Sequence, residues 1–182
     1  MNKEFTARYS VQKTRIGPDM ADLQNITLQN FDIKITSDGR WFHEGGEIKR
    51  MGLVKLFASV LSCDDDGRYW LTTPVEKGEI SVEDAPFVIV AMQVEGKSDK
   101  QMITFIDNLG ETHLLSSQKP LEMRPQPNSD AKPYLKLEKG LSALIKHAVF
   151  YELAELALQG GLTSKTGQIE VRSDGAVFSL EG

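Results

Sequence analysis

EIKRMGLVKLFASVLSC, residues 47–63, is the stretch that decides the fold. Its apolar residues recur at i, i+3, i+4, i+7 and i+8, the spacing of a helix with one apolar face. The run Asp64-Asp65-Asp66-Gly67 predicts the turn after this helix, because glycine readily takes the left-handed conformation that reverses a chain. The pattern therefore predicts an amphipathic helix that packs on a core through Leu53, Leu56, Phe57, Val60 and Leu61.

Predicted strands flank this helix on both sides. Residues 32–46, DIKITSDGRWFHEGG, predict a hairpin that turns at Ser37-Asp38-Gly39. Residues 68–87 predict two short strands broken by Pro74 and Gly78. A three-stranded meander is predicted next, over residues 87–95, 101–107 and 111–116.

The last third of the chain predicts a second strand and helix pattern. Four prolines from Pro120 to Pro133 predict an extended surface connection. Residues 134–139 predict a strand, and residues 141–159, LSALIKHAVFYELAELALQ, predict a helix or a bent helix pair. The chain closes with a hairpin predicted around Ser173-Asp174-Gly175.

The two predicted helices suggest an internal repeat. An offset of 96 residues places Leu53 on Val149 and Phe57 on Leu153. Any two amphipathic helices can be brought into such register, so duplication stays open from these residues alone. The predicted organisation is an N-terminal arm over residues 1–17, an N-terminal α+β domain over residues 18–78 that starts with a short helix after Pro18, and a C-terminal domain over residues 79–182.

The composition is that of a globular protein with one compact domain or two small ones. The chain has 182 residues, of which 40% are hydrophobic and 26% are charged. Its net charge of −5 disfavours nucleic-acid polymers and anionic membranes as partners. The single cysteine, Cys63, is predicted to be a buried structural thiol in a reducing compartment. The N-terminus lacks the apolar segment of a secretory signal, so we expect the cytoplasm.

Motifs for metals, cofactors and nucleophilic catalysis are incomplete. A calcium loop over the acidic run would need Asp and Glu where the chain has Ser62 and Thr73. A phosphate-binding loop at Lys165-Thr166 would need glycine at Gln159 and Ser164. No cofactor, metal or catalytic residue is predicted, since no ligand spacing connects His43, His113 and His147.

Seven residues around the first predicted helix have the chemistry of a small anionic or nucleotide-like ligand site. Such a ligand needs an aromatic side chain for stacking, a guanidinium for charge, and hydroxyls and carboxylates for orientation. The alternative is structural, with Trp41 and Tyr69 in the core and Arg50 paired with Asp84 or Glu76. The candidate ligand-binding residues are Trp41, His43, Arg50, Tyr69, Thr73, Glu76 and Asp84.

Several short motifs resemble the bacterial family of unknown function called DUF1285. The likeness covers about residues 20 to 182, with departures at Glu47 and Ala148. The motifs are Trp41-x-His43-x-Gly45, Ile48-x-Arg50, Leu53-Val54-x-Leu56-Phe57-Ala58, Asp66-Gly67-x-Tyr69, Thr73-Pro74-Val75-Glu76, Val82-Glu83-Asp84-Ala85-Pro86-Phe87, Gly140-Leu141-x-Ala143-Leu144 and Phe150-Tyr151-x-Leu153.

The resemblance implies an α+β fold with a duplicated strand–helix–strand core. It implies that the C-terminal part is a pleckstrin-homology-like antiparallel barrel with a helix. It also implies a ligand site between the halves and a link to signal transduction, so the leading hypothesis is a non-enzymatic ligand-sensing or regulatory module. One alternative is a protein-interaction module that docks a partner by a sheet edge. Another is an enzyme that uses Glu76 or Asp84 with His43 in acid–base chemistry.

Overall fold

A computed structural model describes residues 27–127, 129–160 and 167–181. These residues form two six-stranded sheets, a two-stranded hairpin, two α-helices and a short 3-10 helix. The predicted N-terminal arm and the short helix after Pro18 lie outside the described residues.

The first sheet, sheet A, is built from the N-terminal half of the chain. Its strands lie in the order β3-β2-β1-β6-β5-β4, with β1 parallel to β6 and all other neighbours antiparallel. Helix α1 connects β3 to β4. The elements are β1 (Thr27–Ile35), β2 (Trp41–His43), β3 (Gly46–Glu47), α1 (Met51–Ser59), β4 (Leu61–Cys63), β5 (Tyr69–Thr72) and β6 (Glu76–Val82).

The second sheet, sheet B, is built from the C-terminal half. Its order is β10-β11-β12-β7-β8-β9, with β12 parallel to β7 and the other neighbours antiparallel. Helix α2 and the hairpin β13–β14 follow β12. The elements are β7 (Phe87–Glu95), the 3-10 helix (Ser98–Lys100), β8 (Met102–Asp107), β9 (Thr112–Leu114), β10 (Leu121–Gln126), β11 (Ser129–Lys136), β12 (Ser142–Ile145), α2 (His147–Gly160), β13 (Glu170–Ser173) and β14 (Ala176–Ser179).

The two sheets repeat one strand order. Adding six to each strand number of sheet A gives β9-β8-β7-β12-β11-β10, which is sheet B listed from its other edge. The parallel pair at the centre of sheet A, β1 and β6, corresponds to the parallel pair β7 and β12 of sheet B. The predicted α+β class and the duplicated halves are therefore confirmed. The helices occupy different places in the two copies, since α1 follows the third strand of its sheet and α2 follows the sixth.

Helix α1 packs on the core through a face that only partly matches the predicted stripe. Leu53 and Leu56 are half-buried, and Val60 and Leu61 lie beyond the end of the helix. Val54 and Phe57 are buried, and Phe57 stacks on the buried ring of Trp41 with centroids 6.2 Å apart. The helix is shorter than predicted because Leu61 and Cys63 belong to β4. One hydrophobic cluster contains buried residues of α1, α2 and both sheets, so the halves share a continuous core.

The predicted surface connection over the Pro-rich stretch is wrong. Residues 121–126 and 129–136 instead form the antiparallel hairpin β10–β11. Proline cannot donate a ladder hydrogen bond, and the hairpin tolerates Pro125 because the register shifts there, on the outermost strand of sheet B. Pairing of β11 with β12 begins at Tyr134, so Pro133 lies just outside it and is not required to donate a hydrogen bond to β12.

The predicted helix over residues 141–159 is wrong in its first part. Ser142–Ile145 is strand β12, which lies between β11 and β7, and α2 begins only at His147. Ser142, Ala143 and Ile145 are buried, and a strand covered on both faces has the continuous apolar run that also suits a buried helix.

Strand β6 also differs from its prediction. Gly78 does not break it but lies inside it, where the ring of Phe31 covers the position that a Cβ would take. The predicted domain boundary between residues 78 and 79 lies within this strand. The chain leaves sheet A after Val82 and enters sheet B at Phe87.

Candidate binding site

The two halves meet along a seam that several hydrogen bonds cross. The Cys63 N–H donates to the carbonyl of Lys139 at 2.9 Å. The side-chain amide of Asn108 donates to the carbonyl of Gly39 at 3.0 Å, while its oxygen accepts from the Val88 N–H at 3.0 Å. These contacts hold the ends of β4 and of the β1–β2 hairpin against sheet B.

A group of polar side chains lies at this seam, and we call it the seam cluster. It draws on β4 and β5, on the connection between the sheets, and on the β10–β11 hairpin. Its members are Cys63, Tyr69, Asp84, Arg124, Lys132 and Tyr134.

Asp84 is the centre of the seam cluster. Its Oδ1 accepts from the Tyr134 hydroxyl at 2.6 Å and its Oδ2 accepts from Lys132 Nζ at 2.8 Å. Burial alone would raise the pKa of Asp84, but these two hydrogen bonds outweigh it, so the pKa lies below the ordinary 3.8. Burial and the neighbouring Asp84 carboxylate raise the pKa of Tyr134 well above its ordinary value. Asp84 is therefore a carboxylate that holds Tyr134 as a neutral donor.

Arg124 supplies a guanidinium to the same group. Its Cζ lies 4.2 Å from the centroid of the Tyr134 ring, a cation–π distance. Its Nε and Nη2 donate to Glu122 Oε2 at 3.1 and 3.0 Å, and its Nη1 lies 3.3 Å from Ser142 Oγ. The side chain is 37% exposed, so it is anchored by these hydrogen bonds and still partly accessible to solvent.

Tyr69 and Cys63 of the N-terminal half lie near enough to Arg124 for its charge to act on their pKa values. Burial raises the pKa of Tyr69, the thiol of Cys63 and the charge of Asp84 add to that rise, and Arg124 opposes it. Burial also raises the pKa of the Cys63 thiol, as does the charge of Asp64, and the charge of Arg124 again opposes the rise. Arg124 thus interacts electrostatically with both halves. Cys63 is half-buried. It was predicted at the end of the helix, but it lies in strand β4, beyond the last residue of α1.

The structure brings two of the seven predicted site residues together, Tyr69 and Asp84. Trp41 is a core residue that is 2% exposed, as the structural alternative proposes. His43 is half-buried in β2 opposite Ile33, and Arg50 is exposed as the residue that precedes α1. Asp84 pairs with Lys132 and not with Arg50.

Thr73 and Glu76 stabilise the turn between β5 and β6. The Thr73 N–H donates to the Glu76 carbonyl at 2.8 Å, and the Glu76 N–H donates to Thr73 Oγ1 at 3.1 Å. These hydrogen bonds engage the Thr73 hydroxyl and the Glu76 backbone within the turn, and neither residue belongs to the seam cluster.

Arg124, Lys132 and Tyr134 were missed by the sequence reasoning. They stand on β10 and β11, where Arg124 is opposite Lys132 and Glu122 is opposite Tyr134. The signal is an alternation in the sequence: polar side chains occupy the even positions of residues 121–124 and 132–137, and apolar ones or proline occupy the odd positions. This period of two predicts strands and one polar face, but the prolines hid it.

Two features are absent from the described residues. No group of three or more His, Cys, Asp or Glu side chains among them is arranged to hold a metal ion. Neither helix in that part of the chain has the length and apolarity required to cross a bilayer.

The two halves coincide with two family models. Residues 24–85 match the N-terminal domain of DUF1285, described as a domain of unknown function. Residues 86–180 match the C-terminal domain of DUF1285, described as a protein of unknown function. The chain belongs to the DUF1285 family. The boundary between the matched domains follows Asp84 by one residue, so the seam cluster of this DUF1285 protein draws on both domains.

Two solved DUF1285 structures resemble this chain. A DUF1285 family protein from Silicibacter pomeroyi DSS-3 is 34% identical, with 97% of this chain and 93% of that chain covered and a TM-score of 0.79. A DUF1285 family protein from Shewanella baltica OS155 is 30% identical, with 69% of this chain and 91% of that chain covered and a TM-score of 0.55. A comparison with curated proteins gives no match. The predicted family is confirmed.

Proposed function

We propose that this DUF1285 protein is a ligand-sensing module that binds a small anionic, nucleotide-like molecule at the seam cluster. The observation that carries the proposal is the position of Arg124, whose guanidinium lies 4.2 Å from the centroid of the Tyr134 ring, whose side chain is 37% exposed, and whose charge acts on the pKa values of Cys63 and Tyr69 in the other half. A ligand that contacts Arg124 of one half and Tyr69 of the other would touch both halves, so its binding would be coupled to their arrangement.

The charges around Arg124 support an anionic ligand. Three cations, Arg124, Lys132 and Lys136, meet two carboxylates, Asp84 and Glu122. This local excess of positive charge contrasts with the net charge of −5 of the whole chain. Phosphate and carboxylate groups are the natural partners of a guanidinium, which donates to both of their oxygens at once.

Tyr69 supports a ligand that carries a ring or a sugar. Its side chain is half-buried at the seam, and a neutral phenol offers both an aromatic face and a hydroxyl. Tyr134 is only 2% exposed and its hydroxyl donates to Asp84, so it forms the buried base of the seam cluster and does not contact the ligand.

The test is a thermal-shift and native mass spectrometry screen with ATP, ADP, AMP and inorganic phosphate as probes. At about 100 times its dissociation constant, a bound ligand stabilises the fold by about 2.7 kcal/mol. For a chain of this size we expect a rise in Tm of about 5–10 °C. In Arg124→Gln we expect the rise to disappear while the Tm without ligand stays within a few degrees.

Arg40→Gln is the matched control. Arg40 also lies over an aromatic ring, that of Phe42 at 5.6 Å, and also pairs with a carboxylate, that of Asp38 at 2.8 Å. It belongs to the β1–β2 turn and not to the seam cluster, so Arg40→Gln should retain the ligand-induced shift. Equal loss in both variants, or no shift with any probe in the unmodified protein, would rule out the seam cluster as an anion site.

A further inference from the structure

A second candidate site lies within the C-terminal half and shares no residue with the seam cluster. It is a cleft of about 180 Å³ between the 3-10 helix, the last turns of α2 and strand β13. We call it the α2 cleft. A cavity of about 150 Å³ holds one benzene molecule, so the α2 cleft has room for a small organic molecule. The lining residues that matter here are Asp99, Leu156, Ala157, Glu170 and Arg172.

Hydrogen bonds between β13 and the start of β8 fix the frame of the α2 cleft. The Gln101 side-chain amide donates to the Arg172 carbonyl at 2.6 Å, and the Asp174 N–H donates to the Gln101 carbonyl at 3.0 Å. Buried Ser173 accepts from the Ile103 N–H at 3.0 Å. The strand that carries the cleft's charged side chains is therefore held in place before a ligand arrives.

Arg172 brings an incompletely paired guanidinium to the cleft. Its Nη1 donates to the Asp99 carboxylate. Its Nε is buried and has no hydrogen-bond partner among the described residues. The Nε is too enclosed for a ligand to reach, but the side chain as a whole is 30% exposed, and a ligand carboxylate would lie on its accessible part.

Two features of the same cleft favour a positive group. Glu170 lies two residues before Arg172 on β13, so both side chains leave the same face of the strand, about 7 Å apart along it. Gly160, the last residue of α2, also lines the cleft, and the carbonyls at a helix C-terminus carry partial negative charge. Leu156 and Ala157 form an apolar wall between these polar groups.

We propose that the α2 cleft binds a small zwitterion, a free amino acid or a close analogue. Its carboxylate lies on Arg172 and its ammonium group on Glu170 and the end of α2. The two opposite charges of such a ligand match the cleft, whereas a simple anion would meet the carboxylates of Glu170 and Asp99 as well as the guanidinium.

The first experiment is isothermal titration calorimetry of the full chain with L-serine, L-valine, L-proline and 4-aminobutyrate. Each probe is compared with its N-acetyl derivative, which lacks the ammonium, and with its carboxamide, which lacks the carboxylate. We expect at least one free amino acid to bind and both of its derivatives to bind about tenfold more weakly or not at all. The absence of heat from every probe up to about 10 mM, or equal binding of an N-acetyl derivative, would overturn the proposal.

The second experiment uses Arg172→Gln and Glu170→Gln, with Arg40→Gln as the control on the other half of the chain. Each cleft variant should weaken binding of the zwitterion by about tenfold or more, and Arg40→Gln should leave it unchanged. Unaltered binding in Arg172→Gln would place the ligand elsewhere and overturn the proposal. If Arg172→Gln does not fold, Glu170→Gln and the comparison of derivatives in the unmodified protein still decide it.

Discussion

At the scale of single residues, Asp84 has the most connections across the seam. Its two carboxylate oxygens are occupied by Tyr134 and Lys132, and its side chain is only 17% exposed. Asp84→Asn removes the negative charge that Lys132 pairs with. We expect it to lower the free energy of unfolding at pH 7 by about 1–2 kcal/mol, since charge-assisted hydrogen bonds are strong but Lys132 is 43% exposed to screening. Urea unfolding of both proteins measures the difference.

The same residue gives a pH dependence of known sign. The pKa of Asp84 in the folded protein lies below its ordinary value. Its contribution to the free energy of unfolding is therefore fully present at a pH above that ordinary value, and it is lost as the pH falls through the pKa of the folded state. The difference in unfolding free energy between the unmodified protein and Asp84→Asn should therefore narrow below about pH 4. Asp65→Asn, an exposed position in the turn after β4, should match the unmodified protein at pH 7. A difference in unfolding free energy between the unmodified protein and Asp84→Asn that stays constant down to pH 3 would contradict this account.

The seam cluster could be predicted only in part from individual residues. Tyr69 and Asp84 of the seam cluster are among the seven predicted site residues, whereas Cys63, Arg124, Lys132 and Tyr134 are not. The partners of Asp84 were missed because it meets Lys132 and Tyr134 across 48 and 50 residues of chain. Contacts at that separation depend on which strand lies beside which, and no local pattern around Asp84 specifies that.

At the scale of elements, the sequence predicts what depends on local spacing and fails where the environment decides. The existence of α1 and the turn at Ser37-Asp38-Gly39 follow from periodicity and backbone preference, and both are present. The buried face of α1 differs from the predicted stripe, since Val54 is buried and Leu56 is not. Residues 142–145 were predicted as helix because their apolar pattern continues into the helical pattern of the following residues. Pairing with β11 and β7 makes them a strand. The hairpin β10–β11 was hidden because its register shift at Pro125 cannot be foreseen from the sequence.

Two glycines within elements give a paired prediction about stability. A Cβ on Gly78 in β6 would lie 2.1 Å from the ring of Phe31, so Gly78→Ala should destabilise by about 1–3 kcal/mol through overpacking. Gly52 in α1 has open space around its Cβ position, and Gly52→Ala should stabilise by up to about 1 kcal/mol because alanine favours helix. Chemical denaturation of both variants gives the two signs. A neutral Gly78→Ala would mean that the Phe31 ring moves aside at no cost.

At the scale of the whole molecule, the repeat creates the seam, since two sheets of the same strand order meet where the matched family domains join. Two glycines lie where the halves touch. A Cβ on Gly39 would meet Asn108 at 2.6 Å, and one on Gly140 would meet the Cys63 carbonyl oxygen at 2.5 Å. The Asn108 side chain can adjust, whereas the Cys63 carbonyl belongs to the backbone of β4. Gly140 is therefore the position at which one methyl group would separate the halves.

Gly140→Ala tests this directly, with Gly110→Ala as its control. Both glycines have positive φ, +71° and +80°, so both variants share a conformational cost of about 1–2 kcal/mol, but Gly110 has open space around its Cβ position. Gly140→Ala should cost clearly more, because β4 must move away from residue 140. The two tryptophans, Trp41 and Trp70, both belong to the N-terminal half, so fluorescence reports the unfolding of that half while circular dichroism reports the whole chain.

In the unmodified protein and in Gly110→Ala, the urea transitions followed by fluorescence and by circular dichroism should coincide, because the halves share one core. In Gly140→Ala they should separate, since the N-terminal half loses its fixed contact with sheet B. That variant should also bind anions more weakly at the seam cluster, as Cys63 and Tyr69 move away from Arg124. Coincident transitions and equal stability in the two glycine variants would mean that the Cys63 contact does not couple the halves, and the coupling would then depend on Asn108 and the shared core.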